Sequence, residues 1–283
     1  MENHYFCAKY DLLMADNLST VIYVFHYKDG TVLKTDSIYQ PIMAGNALLT
    51  CEKTLTGDDT GDNISAKNRY YSELTGTYWV WKNTRQKIVG TCHYRRFFTA
   101  KPEPFLYKLK RLFYYPAGQY KKRFGLIYTE NTKLFGPRVL NNQEVNELLS
   151  QYDAILPQAR KLKYTVETHY HRYHNTIDLD ILKSILTEKY PEFLNAFHAV
   201  LKGKRLYANN MFVMKDEQYQ KFMNWWFDML FEFEGRIDLN NYIDYQKRIF
   251  GFIAERLLTI WFMKKQLKTV ELPIIYFKRF KFE

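Results

Sequence analysis

The tetrad His93-Tyr94-Arg95-Arg96 sits near the end of a β-branched and aromatic run, residues 88–98 (IVGTCHYRRFF). Arginine carries a permanently charged planar fork that pairs with phosphate oxygens two at a time. Arginines at a strand end can therefore hold a phosphate group. Adjacent residues on a strand point to opposite faces, so one of Arg95 and Arg96 is expected to face a ligand. Structural salt bridges are the plainer alternative for the pair. His93 and Tyr94 could touch the same ligand, although a histidine at a strand end is more often simply hydrogen-bonded.

Asp62, Asn63, Ser65 and Asn68 gather at an expected helix start, where free N–H groups and the helix dipole favour anions. Helix capping accounts for Asp62 or Ser65 equally well. Asp178-Leu179-Asp180 has the Asp-x-Asp form of a metal site, but it precedes a helical run and is read as the N-cap of that run. His169, His171 and His174 match no strong metal-ligand spacing and are read as a polar cluster on the substrate side. Asp58, Asp59 and Asp62 lack the spacing of a calcium loop. No metal site is expected.

These residues need elements to place them. Residues 21–26 (VIYVFH) read as a first buried strand closed by a turn at Asp29-Gly30. His26, Tyr27 and Lys28 end it, where open α/β sheets place ligands. In residues 63–82, Ile64, Tyr71, Leu74 and Tyr78 recur at roughly helical spacing, with Asp62 or Asn63 as the cap. Residues 88–98 read as a second buried strand, so the order is strand, helix, strand, the start of an α/β sheet. Further strands are expected at 153–156 and in the second half of 206–215. Helices are expected at 143–150, at 179–201 with a break near Pro191, from 218 through 234 and again from 242 to 267, before a β-like tail at 270–282. No repeat or low-complexity linker divides the chain. One domain is expected over residues 1–283, with a core at about 20–267 and a helical C-terminal third.

Composition narrows the partners. The 283 residues hold 41 Lys+Arg against 30 Asp+Glu, a net charge of +11. Seven of those charges fall in residues 101–138, a basic insertion broken by Pro102, Pro104, Pro116 and Pro137. Such a surplus calls for an anionic partner: phosphate, nucleic acid or lipid. Phe105, Leu109, Leu112 and Phe113 recur at helical spacing among Lys108, Lys110 and Arg111, and Lys121, Lys122 and Arg123 follow. That pattern suits an interfacial helix on a membrane, with a solvated basic face as the alternative. The 24 Tyr, 21 Phe and 5 Trp suit stacking on bases and sugar rings as well as core packing. Three widely spaced cysteines make no disulfide framework and point to a reducing compartment. Residues 1–16 hold Glu2, Asp11 and Asp16 and no long apolar run, so they are not expected to act as a secretory signal, and the most apolar stretch, 222–233, is short and interrupted by Asn224, Asp228 and Glu232. Basic charge interleaved with aromatics also suits a single-stranded nucleic-acid binder, but no RNA-binding signature, helix-turn-helix or zinc module is present.

The run GDNISAKNRYYSELTGTYWVWKN (61–83), followed closely by IVGTCHYRRFF, resembles a glycosyltransferase family from bacterial capsule and exopolysaccharide loci. That family was long catalogued as a domain of unknown function, and some members are galactofuranosyltransferases. YQPIMAGNALL (39–49), YANNMFVMK (207–215) and YQKRIFGFIAERLLTIWF (245–262) are similar to the same family. The stretch before Thr20 and the basic segment after Phe98 depart from its pattern. The resemblance implies a GT-A-like α/β fold, a Rossmann-related mixed sheet flanked by helices. It implies inverting transfer from a UDP-sugar to a lipid-diphosphate-linked or growing polysaccharide acceptor, with no metal or other cofactor. With the cysteine usage and the basic amphipathic patch, the expectation is a cytoplasmic protein held peripherally at the inner membrane, with no nucleic-acid partner.

On this reading Arg95 or Arg96 replaces the metal, and His93 touches sugar or phosphate. His26, Tyr27, Lys28, Gly45, Asp62, Asn63, Ser65, Asn68, Tyr94, Asn209 and Asn210 are expected to bind the nucleotide sugar. His169, His171 and His174 are expected on the acceptor side. Inverting transfer needs a carboxylate to take the acceptor's proton. Glu255 is the first candidate, Asp244 the second and Glu167 the third, while a structural pair of Glu255 with Arg248 or Arg256 is the alternative. A non-catalytic scaffold in polysaccharide assembly is a further reading.

Overall fold

The computed structural model describes residues 20–28, 30–33, 36–50, 54–114 and 125–282. Cys7, Cys51, Asp29, Lys121, Lys122 and Arg123 lie outside the described residues. The spine is β1 (Thr20–His26), buried along its whole length. Alternation sends Val21, Tyr23 and Phe25 into one apolar cluster and Ile22 and Val24 into another. A strand covered on both faces needs a near-continuous apolar run, which VIYVF supplies.

β2 (Tyr39–Met43) pairs with β1 in parallel and carries β3 (Thr56–Gly57) on its far side. β4 (Ile88–His93) pairs with the other edge of β1, also in parallel. The chain therefore leaves β1 in both directions, and a ligand crevice is expected beyond the carboxyl ends of these strands. The run 88–98 is two strands, not one: β4 ends at His93, residues 94 and 95 turn, and β5 (Arg96–Phe98) returns antiparallel. β6 (Leu126–Asn131) and β7 (Ala154–Pro157) follow, and β8 (Arg160–Lys161) forms a separate ribbon with β9 (Arg205–Leu206). β10 (Phe212–Lys215) runs antiparallel between β4 and β7. β11 (Thr269–Leu272) lies beside β7, and β12 (Ile274–Lys281) joins β5 to β6. The main path is β11-β7-β10-β4-β1-β2-β3, a mixed sheet.

The helix expected over 63–82 is also in two pieces. A 3-10 turn (Ser65–Lys67) leads into α1 (Asn68–Tyr71), Ser72 breaks it at φ 53°, and α2 (Leu74–Asn83) begins. Asn68 braces the break: its Nδ2 donates to the Ser72 carbonyl at 2.7 Å and to Thr75 Oγ1 at 2.9 Å. Gly76 lets α2 press on β1, since a Cβ there would stand 2.6 Å from the Phe25 ring. α3 (Phe105–Tyr114) and α4 (Thr132–Phe135) come next, then α5 (Asn142–Gln151), whose Asn141 and Glu144 form a reciprocal capping box. α6 (Val166–Tyr173) precedes α7 (Ile177–Lys189), and a 3-10 turn opened by Pro191 separates α7 from α8 (Leu194–Lys202). α9 (Asp216–Arg236) and α10 (Ile249–Lys265) fill most of the last third and pack into the Val21/Tyr23/Phe25 cluster. The result is the expected mixed α/β sheet flanked by helices, with a helical C-terminal region. Among the described residues no helix is long and apolar enough to cross a membrane.

Candidate active site

The carboxyl ends of β1, β2 and β4 open into a cleft of about 470 Å³, within the range of small-molecule sites. β1 and its end supply Phe25, His26 and Tyr27, and Ala44 follows β2. The break between α1 and α2 supplies Asn68, Arg69, Ser72 and Glu73. The hairpin of β4 and β5 supplies His93, Tyr94, Arg95 and Arg96, joined by Arg248 and Tyr276. Four arginines thus face one carboxylate.

Strand alternation does not separate Arg95 from Arg96, because the strand stops before them. Both line the cleft. Arg95 Nη1 donates to the Lys278 carbonyl at 2.8 Å, and its guanidinium lies 4.8 Å from the Tyr94 ring centre. Arg96 stands 5.3 Å from the Tyr276 ring centre. No described residue accepts a hydrogen bond from it, and its Nε is buried. Burial lowers its pKa, against the pull of Tyr276, Glu73 and Glu255. Arginine remains charged all the same.

Below the arginines, Asn209 and Asn210 form a turn that touches three titratable groups. His93 Nε2 donates to the Asn209 carbonyl at 2.6 Å, and the Asn209 N–H donates to Glu255 Oε1 at 2.8 Å. Asn210 Nδ2 donates to Glu73 Oε1 at 3.0 Å. Arg248 approaches the other oxygen of Glu73 at 3.6 Å. Burial opposes the charge on Glu73 but is outweighed by His93, the Asn210 amide and Arg248, so its pKa falls below the usual carboxylate range. Burial lowers the pKa of His93, with Arg96 and Arg248 acting in the same direction. Glu255 does pair with Arg256, at 3.3 Å. Arg256 in turn lies 4.9 Å from the Tyr170 ring centre.

The other expected site residues fall in several places. The His26 ring lies 5.5 Å from that of Tyr94, and the Tyr94 hydroxyl reaches Tyr27 at 3.4 Å. Lys28 stands 5.5 Å from the Tyr27 ring centre, just outside the lining. Gly45 sits behind Ala44 in the left-handed region at φ +76°, and a Cβ there would come within 2.4 Å of Asn68. Asp62, Asn63 and Ser65 do not line the cleft. Asp62 accepts from the Tyr78 hydroxyl, Asn63 accepts from the Ser65 N–H, and Ser65 donates to buried Asp58. Asp244 and Glu167 are exposed and away from the lining.

Asp178 is not an N-cap. It is buried in the first turn of α7 and accepts hydroxyls from Tyr170 and Tyr242, while Thr176 holds the cap position and Asp180 is exposed. Of the three histidines, His169 is half-buried near Arg256 and Arg160, and His171 is exposed. His174 packs on Phe252 and bonds Gln246, and burial drives its pKa down to about 4. Lys108 is exposed on α3; the side chains of Lys110 and Arg111 lie outside the described set. Among the described residues no group of three or more His, Cys, Asp or Glu is arranged to hold a metal ion.

Residues 21–266 match the family described as "Domain of unknown function (DUF4422)". The chain belongs to this family. A solved structure described as that of WbbM, a bifunctional glycosyltransferase in its apo form, is similar at a TM-score of 0.77 and 31% identity. The match covers 93% of this chain and 46% of WbbM, so the chain spans about half the length of that protein. No curated protein matches the chain. Its fold is therefore GT-A-like. In this DUF4422 member the cleft residues that sequence reasoning missed are Arg69, Ser72, Arg248, Tyr276 and, the one acid among them, Glu73. It is the only acid between Asn63 and Trp81, a signal that helical spacing alone does not weight.

Proposed function

We propose that this chain is a glycosyltransferase that uses a UDP-sugar, with galactofuranose the leading candidate for the sugar. The observation that carries the reading is Arg96: a half-buried guanidinium lining the cleft, whose buried Nε, like that of Arg95, has no hydrogen-bond partner among the described residues. A buried donor without a protein partner is rare and calls for a ligand, and a phosphate oxygen is the matching acceptor. Likeness to a bifunctional glycosyltransferase supports the reaction class.

In the proposed reaction the acceptor hydroxyl oxygen attacks the anomeric carbon from the face opposite the leaving group. The bond from that carbon to the diphosphate breaks, and UDP leaves with the electron pair. Arg95 and Arg96 stabilise the charge that develops on it, in the role a metal ion plays elsewhere. The acceptor's proton passes to Glu255, the one of the three expected bases that adjoins the cleft residues. The acceptor is a lipid-diphosphate-linked or growing surface-polysaccharide chain, reached from the cytoplasmic face of the inner membrane. Glu255→Gln keeps the size of the side chain and removes its basicity. It should abolish transfer while leaving UDP-sugar affinity within about twofold; transfer at the wild-type rate would move the role to Glu73.

A further inference from the structure

Asn209 and Asn210 both occupy the left-handed region, at φ 80° and φ 49°. Asparagine tolerates that region better than most residues, but two consecutive non-glycine residues there are unusual and call for a reason. The neighbours supply one. The Asn209 carbonyl accepts from His93, its N–H donates to Glu255, and its side-chain oxygen faces Arg160 at 3.4 Å. The Asn210 amide donates to Glu73 and, at 3.2 Å, to the Gly251 carbonyl. Thr91 Oγ1 holds the Asn210 carbonyl at 3.2 Å. An ordinary extended or helical link could not aim one backbone carbonyl and the next side chain at two wall residues in this way.

We propose that the 209–210 turn is a positioning device that makes His93 and Glu73 a pair of hydrogen-bond acceptors for the hydroxyl groups of the transferred sugar. The inference rests on the glycosyl-transfer reading for the identity of the ligand. The tautomer follows from chemistry on the page. A carbonyl can only accept, so the proton of the 2.6 Å contact belongs to His93 Nε2. Burial, Arg96 and Arg248 keep the ring neutral against the pull of Glu73. A neutral imidazole with its proton on Nε2 has a bare lone pair on Nδ1, and no described residue donates to that atom. Beside it stands Glu73, its carboxylate bonded by the Asn210 amide and approached by the Arg248 guanidinium, both of which favour the ionised form. The cleft thus carries two chemistries: arginine donors suited to phosphate, and a histidine–carboxylate pair suited to hydroxyls.

The first arm of the test needs no substrate. Long-range proton–nitrogen spectra of the histidine-labelled protein should show His93 neutral and protonated on Nε2 from pH 8 to pH 6. A proton on Nδ1, or titration at the ordinary value of about 6.5, overturns the proposal. The second arm separates nucleotide from sugar. Asn210→Gly suits a left-handed residue while stripping the amide from Glu73. UDP alone should bind this variant and Glu73→Gln within about twofold of wild type, while kcat/KM for the intact sugar nucleotide falls at least about tenfold, as for a site built to bind a hydroxyl. In Asn210→Gly the acidic limb of the rate profile should also move to higher pH, because loss of the amide raises the pKa of Glu73. An unmoved limb, or an equal loss of UDP binding, would return the turn to a purely structural role. If wild-type protein binds no UDP, the glycosyl-transfer reading fails by itself, and the His93 spectra still decide the turn.

Discussion

Arg95 and Arg96 differ in what the protein already gives them. Arg95 has a backbone carbonyl on its guanidinium, whereas Arg96 rests on Tyr276 with no acceptor from the described chain. On the proposed reading, replacing Arg96 removes a charged hydrogen bond to the leaving group worth about 1.5–3 kcal/mol, and about 1.4 kcal/mol is tenfold in rate. Arg96→Ala should therefore lose at least about tenfold in kcat and exceed the loss in Arg95→Ala. Steady-state kinetics on the two folded variants checks this, and equal, small losses would assign both arginines to structure. The arginine pair was legible in the sequence because its charge and strand-end position do not depend on distant contacts. That both arginines line the cleft was not legible, since that turns on where β4 ends. Glu73 was hidden for a similar reason: it reaches the cleft through a helix break that apolar periodicity passes over.

At the scale of elements, that break and the turn after β2 hold each other. Asp58 accepts the Gly45 and Asn46 N–H groups at 2.9 and 3.0 Å, and Gly45 packs directly on Asn68, the brace of the break. Gly45→Ala would put a Cβ into both the left-handed region and the Asn68 side chain. Such a change costs about 1 kcal/mol from the backbone alone, so Tm should fall by about 2–4 °C, with Glu73 displaced and turnover reduced. Calorimetry showing an unchanged Tm would mean that the loop carries no such constraint. Strands β1, β4, β7, β10 and the β11–β12 tail and the long helices were legible from apolar runs and spacing, whereas β2, interrupted by Pro41, and β6, inside the basic segment, were not. The breaks were not, because Asn68 and Asp58 act through contacts with residues several positions away. Asp178 shows the converse: a metal-like spacing whose first carboxylate is buried under two tyrosine hydroxyls.

Across the whole molecule, the positive surplus and the exposed α3 belong together. Phe105 and Leu106 are 73% and 75% exposed, next to exposed Lys108. We propose that this helix and the basic residues after it rest on an anionic lipid surface, where each Lys or Arg contributes about 1 kcal/mol. Binding to anionic vesicles should be strong at low salt and weaken as ionic strength rises. Replacing Lys108, Lys110, Arg111, Lys121, Lys122 and Arg123 with Gln should release the protein yet spare turnover of a soluble acceptor; retention on vesicles would place the contact elsewhere. The central claim is that arginines of the β4–β5 hairpin hold the diphosphate of a sugar nucleotide for transfer without a metal. Its most direct test is a panel of sugar nucleotides incubated with acceptor and excess EDTA, with released nucleotide diphosphate measured by mass spectrometry. One UDP-sugar should release UDP at an undiminished rate in EDTA, with the signal lost in Arg96→Ala. Release from none of the panel, or a rate that EDTA removes and Mn²⁺ or Mg²⁺ restores, would contradict the account.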